Sequence, residues 1–177
     1  MPQHTLIIGG AKSGKSALAL ELARKQGGRL VFIATAQAHD QEMARRIARH
    51  QAERGPEWTT REEPLELEAA LRETDAPGAV LLVDCLTLWL SNLLTGAGLE
   101  PEQVAQRGRG LARLLPGLQA RVILVGNEVG LGIVPQHPLA RSFRDLSGGL
   151  HQELARICQR VVLCAAGLPL VLKGPAL

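Results

Sequence analysis

Aromatic side chains are nearly missing from this 177-residue chain, which has two phenylalanines (Phe32, Phe143), two tryptophans (Trp58, Trp89) and no tyrosine. Sequence-tolerant binding of single-stranded nucleic acid uses such rings as stacking platforms, so that class of function is disfavoured. Cysteine is scarce as well. Cys85, Cys158 and Cys164 are odd in number, sit in apolar surroundings and lack metal-ligand spacing. They read as buried thiols of a reducing compartment, neither a disulfide frame nor a zinc site. No apolar run approaches the roughly 20 residues of a membrane helix, and the N-terminus lacks the charged and apolar regions of a secretory leader. The expectation is a cytoplasmic protein with no membrane span. Internal repeats and low-complexity tracts are absent too. The net charge of +3 suits phosphate binding but is a weak sign of nucleic acid. The length is that of a single domain, 1–177, with an ordinary core.

What the chain does have is concentrated near its start. Leu6-Ile7-Ile8 runs into Gly9, and Gly9, Gly14, Lys15 and Ser16 then fit the spacing G-x-x-x-x-G-K-[ST]. In that spacing the glycines turn backbone N–H groups inward around phosphate oxygens, the lysine offsets the β/γ charge and the hydroxyl ligates Mg²⁺. The Ala/Leu-rich helix that follows points its positive end at the same anion. An apolar strand before and a helix after are the context that separates a phosphate loop from an ordinary glycine-rich turn. This is a nucleotide phosphate site.

Apolar runs predict strands at Thr5–Ile8, Leu30–Ala34, Ala79–Val83, Arg121–Val125, Val161–Cys164 and Leu168–Leu172. Helical patterning fills the gaps, at about 15–26, 40–54, 64–74, 86–95, 101–115 and 144–159. Most of the strand runs lack polar alternation, as expected when both faces of a parallel sheet are covered. The alternation predicts an α/β fold with an open, mostly parallel sheet and helices on both faces. Only Ala165-Ala166-Gly167 separates the last two runs, so they should form a hairpin and an antiparallel C-terminal edge.

Ligands of such sheets collect beyond the carboxyl ends of the strands. Asp84 closes Val80-Leu81-Leu82-Val83 and is placed to hold Mg²⁺ there. Asn127-Glu128 closes another apolar run, where a ligand role and a plain turn are equally consistent with the spacing, and Val129–Pro135 reads as a shaped loop with an apolar face. Ala34-Thr35-Ala36 offers small residues after the second run. Asp40 is a suitable cap for a helix from Gln41 to Arg54, on which Met43, Ile47 and His50 share a face. Arg45, Arg46, Arg49 and Arg54 surround that face. Arginines can hold phosphate oxygens while a neutral imidazole attacks phosphorus, although spacing alone favours a solvated basic helix. His4, His39 and His137 carry no motif and read as surface or turn residues.

The order of Gly9–Ser16, Ile33–Ala36, Asp40–His50, Trp58, Asp84–Thr87, Asn127–Gly130, Gly132–Pro135 and Arg141-x-Phe-Arg-Asp145 resembles the bifunctional adenosylcobinamide kinase / adenosylcobinamide-phosphate guanylyltransferase family of cobalamin biosynthesis. The likeness runs from about Leu6 to Lys173. It implies a RecA-like P-loop NTPase fold and two reactions. Adenosylcobinamide is phosphorylated by ATP or GTP, and GMP then passes from GTP to the new phosphate, giving adenosylcobinamide-GDP and pyrophosphate. In the family a histidine carries GMP covalently, and the matching position is His50, with Lys15 serving the kinase step. Nucleotide contacts fall by the same likeness on Gly9, Gly10, Ala11, Lys12, Ser13, Gly14, Lys15, Ser16, Ala34, Thr35, Ala36, Gln51, Ala52, Glu53, Arg54, Glu62 and Asp84, with Mg²⁺ on Ser16 and Asp84. A homotrimer is implied as well. Lys12 and His151 depart from the family pattern, which more often has arginine and asparagine there. A kinase of another small molecule, with His50 only structural, and a nucleic-acid-dependent ATPase subunit are the competing readings.

Overall fold

The computed structural model describes residues 3–38 and 40–176; the side chains of Glu42, Arg46, Arg49, His50 and Glu53 lie outside what is described. In chain order the elements are β1 (Thr5–Gly9), α1 (Lys15–Gln26), β2 (Leu30–Ala34), α2 (Gln41–Glu53), β3 (Trp58–Glu62), α3 (Leu67–Thr74), β4 (Val80–Asp84) and α4 (Leu86–Ser91). A π-helical turn (Asn92–Gly96) extends α4, and α5 (Pro101–Leu114), β5 (Arg121–Asn127), α6 (Pro138–Ile157), β6 (Arg160–Ala165) and β7 (Leu168–Lys173) complete the chain. The strands form one sheet in the order β3-β2-β4-β5-β1-β6-β7. All neighbours are parallel except β6 and β7.

The period of two along each strand sorts side chains between two cores. Leu6, Val31, Ile33, Leu81, Val83, Val122 and Leu124 pack with α3, α4, α5 and α6. Ile7, Phe32, Val80, Leu82, Ile123 and Val125 pack on the other face with Ala19, Leu22 and Ala23 of α1. Both faces are therefore helix-covered, and the apolar strand runs follow from that. The β6–β7 hairpin turns through Ala166 (φ 52°) and Gly167 (φ 79°), both left-handed, as a two-residue turn matching strand twist requires. Among the described residues, no helix is long and apolar enough to cross a membrane.

β3 has no counterpart among the apolar runs. Its sequence is Trp-Thr-Thr-Arg-Glu, with only Trp58 buried, because it is an edge strand and polar residues keep an edge from pairing with another chain. Trp58 anchors it by an edge-on contact with Phe32, ring centroids 6.1 Å apart. α6 also begins earlier than expected, at Pro138, a residue suited to a first helical position.

His4 is a further correction. It is not a surface or turn residue but 2 % exposed. Its Nδ1 accepts the Val122 N–H at 3.3 Å and its Nε2 lies 2.9 Å from the Leu115 carbonyl oxygen, so the neutral ring carries its proton on Nε2. His137 is exposed just before α6, as expected, and His39 lies outside the described residues.

Burial pushes the His4 pKa down, against the Leu115 carbonyl and the Asp75 carboxylate. Burial does the same for His151, against Glu128. The unfolded chain therefore takes up protons first as pH falls, and folding stability is lost below the unfolded value of about 6.5 while staying flat above it. Urea unfolding at about pH 7.5 and about pH 5.5 is expected to show this loss, with a slope of at most about 1.4 kcal/mol per pH unit for each histidine. His4→Phe is expected to be less stable at both pH values and to show a shallower dependence. An unchanged slope in that variant removes His4 from the effect.

Candidate active site

Gly9 ends β1, and the loop over 10–14 leads into α1 at Lys15. The loop needs two of its glycines. A Cβ on Gly9 would stand 2.5 Å from both the Cys164 carbonyl oxygen and Ser13 Oγ, and Gly14 has φ 92° with its α-carbon face against Gly167. The β6–β7 turn supports the loop from behind, with the Gly167 N–H donating to the Ser13 carbonyl at 3.0 Å. Lys15 is buried to 8 % exposure and its Nζ donates to the Gly10 carbonyl at 2.9 Å. The ammonium is thus held over its own loop at the positive end of α1, where an anion is favoured.

Side-chain parity assembles the rest. Ala34 follows Phe32, Asp84 follows Leu82, Asn127 follows Val125 and Glu62 follows Trp58 at two-residue steps, so all four project from strand ends on the α1 face. Ala34 pairs in register with both Asp84 and Glu62. The result is a cleft of about 580 Å³ whose lining includes Lys15, Ser16, Ala34, Ala36, Gln51, Arg54, Glu62 and Asp84. These eight are all residues singled out from the sequence. Phe32, Gln37, Met43, Ile47, Pro64, Leu88 and Asn127 also line it, and only tertiary packing reveals most of them.

α2 closes the cleft through Met43, Ile47 and Gln51, with Arg54 at its C-terminal cap. As expected, Asp40 starts this helix, its Oδ1 accepting the Met43 N–H at 2.7 Å. Gln51 Nε2 donates to Glu62 Oε1 at 3.5 Å. The Arg54 guanidinium lies 3.8 Å from the Phe32 ring centroid, a cation–π contact. Burial pushes its pKa down, while Asp84 and Glu62 pull it up. Position 50 lies within α2, but the His50 side chain, like that of Glu53, is outside the described residues.

Other singled-out residues do not line the cleft. Gly10, Ala11, Lys12 and Gly14 are exposed along the loop, Ala52 is exposed on α2, and Ser13 is buried beneath the loop. Thr35 is fully buried. Its hydroxyl donates to the Cys85 carbonyl at 2.7 Å and accepts the Cys85 N–H at 2.8 Å, stitching β2 to the end of β4. Asn92 adds a second brace, Nδ2 donating to the Thr35 carbonyl at 2.8 Å. The three cysteines are buried, as expected. Burial first, then the Asp84 charge, pushes the Cys85 thiol up to about 11, so it is no nucleophile at neutral pH.

The donor chemistry fits a magnesium ion. A hydroxyl (Ser16) and a carboxylate (Asp84) share the cleft, and among the described residues no group of three His, Cys, Asp or Glu forms a closed cage. Mg²⁺ is commonly held this way, with one or two protein oxygens and the remainder from phosphates and water.

A parallel sheet with a phosphate loop at β1 and an acid at the end of β4 defines a P-loop nucleoside-triphosphate-binding enzyme. Solved structures agree at the level of fold. They include the P4 protein of bacteriophage phi6 (TM-score 0.51, 16 % identity, 95 % of this chain and 54 % of that one). Another is the flagellar accessory protein FlaH of Methanocaldococcus jannaschii (TM-score 0.52, 13 % identity, 97 % and 78 %). Within that class, residues 5–172 match the family model described as cobinamide kinase / cobinamide phosphate guanyltransferase, and the chain belongs to this family. It is 51 % identical over 172 residues to the bifunctional adenosylcobalamin biosynthesis protein CobP of Pseudomonas aeruginosa, covering 97 % of this chain and 98 % of that protein. It is 38 % identical over 179 residues to CobU of Salmonella typhimurium, with 95 % and 98 % covered.

Proposed function

We propose that this chain, as a single domain, phosphorylates adenosylcobinamide and then converts the product to adenosylcobinamide-GDP, using the one cleft between the phosphate loop and α2 for both steps. The carrying observation is that Lys15, Ser16 and Asp84 line the same cleft as Ile47 and Gln51 of the helix that contains His50, and as Arg54 at its C-terminal cap.

In the kinase step the aminopropanol hydroxyl oxygen of adenosylcobinamide attacks the γ-phosphorus of ATP or GTP, the bond to the β–γ bridging oxygen breaks, and the hydroxyl proton is released to water. Lys15 and the N–H groups at the start of α1 oppose the charge on the phosphates. Ser16 and Asp84 would hold Mg²⁺, which supplies charge neutralisation when bound. In the guanylyl step a neutral His50 nitrogen attacks the α-phosphorus of GTP and pyrophosphate leaves. The phosphate oxygen of adenosylcobinamide phosphate then attacks the same phosphorus, the N–P bond breaks and His50 is regenerated. Arg54 brings positive charge to the α2 side of the cleft, where oxyanion charge develops.

The sequence spacing that aligns position 50 with Met43 and Ile47, which line the cleft, supports this role. Gln51, Glu62 and Arg54, which line the cleft together with Phe32, take the nucleoside part of GTP in this reading. A cytoplasmic homotrimer is the assembly we infer, through the family likeness.

Purified protein given adenosylcobinamide and GTP is expected to form first the phosphate and then adenosylcobinamide-GDP, with release of pyrophosphate, read by mass spectrometry. Failure to bind guanine nucleotides would overturn the reading. Formation of the phosphate alone would favour a simple kinase.

A further inference from the structure

β5 lies between the strand that feeds the phosphate loop and the strand that ends at Asp84, and its last residue, Asn127, pairs with Gly9. The Asn127 side chain shares the face of Val125, which packs on the α1 side, and it lines the cleft together with Lys15, Ser16 and Asp84. Its main chain is clamped from both flanks. The Asn127 N–H donates to Thr87 Oγ1 at 2.7 Å, and the next N–H, of Glu128, donates to the Gly9 carbonyl at 2.9 Å. Thr87 is buried in α4, three residues beyond Asp84. One hydroxyl therefore fixes Asn127 relative to the acid-bearing strand, and one backbone bond fixes it relative to the loop.

Among the described residues, no hydrogen bond engages the carboxamide. It is half-buried and bonds to no other described residue, although its backbone is held at two points. We propose that Asn127 recognises the terminal phosphate of the bound nucleoside triphosphate, its Nδ2–H donating to a γ-phosphoryl oxygen, with Thr87 as its positioning residue. This rests on the phosphoryl-transfer reading above. A neutral amide gives a directional bond that orients the γ group for attack, while Lys15 supplies the charge. The two reactions depend on that contact unequally. The γ group is the one transferred in the kinase step, but it departs within pyrophosphate in the guanylyl step.

The test compares binding of GDP and of the non-hydrolysable β,γ-imido analogue of GTP, by calorimetry, to wild type and variants. Asn127→Ala is expected to weaken the triphosphate analogue about tenfold and GDP less than about twofold. Asn127→Asp keeps the shape but faces the phosphate with a carboxylate, and is expected to lose still more triphosphate affinity. Thr87→Val is expected to lose part of the same selectivity and Thr87→Ser to regain it. With adenosylcobinamide present, Asn127→Ala is expected to slow phosphorylation more than it lowers covalent retention of GMP. Equal losses for both nucleotides, or an Asn127→Asp variant that binds the triphosphate like wild type, would overturn the assignment. Should Asn127→Ala fold poorly, Asn127→Ser and Asn127→Asp carry the same comparison. Wild type that binds both nucleotides yet phosphorylates no cobinamide refutes the functional reading instead, and the binding comparison still judges Asn127.

Discussion

Incubated with α-labelled GTP and no corrinoid, wild-type protein is expected to retain the label covalently, and His50→Ala is expected to retain none. A nucleophile supplies a bond that no neighbour replaces, so the loss in guanylyl transfer should be at least about a thousandfold. The attachment should be labile in acid and stable in base, as a phosphorus–nitrogen bond is. Three other candidates among the described residues are poorly placed to substitute. Both ring nitrogens of His4 are engaged, by Leu115 and Val122. His151 is buried, with its Nε2 close against Gly126, on the sheet face away from the cleft. Cys85 does line the cleft, but its thiol is pushed up to about 11 and stays protonated. Full labelling of His50→Ala would remove His50 from the mechanism. Base-lability of the label would point to a different kind of linkage.

Lys15→Ala is expected to lose two to three orders of magnitude in kcat for adenosylcobinamide phosphorylation, about 3–4 kcal/mol of transition-state stabilisation. The ammonium is buried and held at the start of α1 by the Gly10 carbonyl, so it meets the transferring group already desolvated and oriented. That preorganisation is why its removal costs more than an exposed charge would. Steady-state phosphorylation at saturating nucleotide separates this loss from weaker binding. Wild-type-like turnover would take the role away from Lys15.

Two of the corrections, β3 and His4, arise where side-chain type and burial part company. β3 does not stand out among the apolar runs because an edge strand is held by backbone bonds on one side and is kept polar on the other. His4 reads as a surface residue because its partners, the Val122 N–H and the Leu115 carbonyl, are main-chain groups more than a hundred positions away. Such groups occur all along the chain and leave no mark in a sequence pattern. Thr35 is a related case. Small residues after β2 are legible, but the Thr35 hydroxyl turns out to be spent on both main-chain groups of Cys85.

The amino-acid sequence by itself determined the phosphate loop, the parallel sheet with its terminal hairpin, the Asp40-capped helix and the family, since each depends on spacing within a short stretch or on motif order. Tertiary structure alone decided the strand order β3-β2-β4-β5-β1-β6-β7, and with it the meeting of Ala34, Glu62, Asp84 and Asn127 at one end of one face. It also set the β6–β7 turn behind the loop through the Gly167–Ser13 bond. The physical reason is that hydrogen bonds between strands are indifferent to side chains, so which strand ends become neighbours depends on how the helices pack into two cores on opposite faces of the sheet.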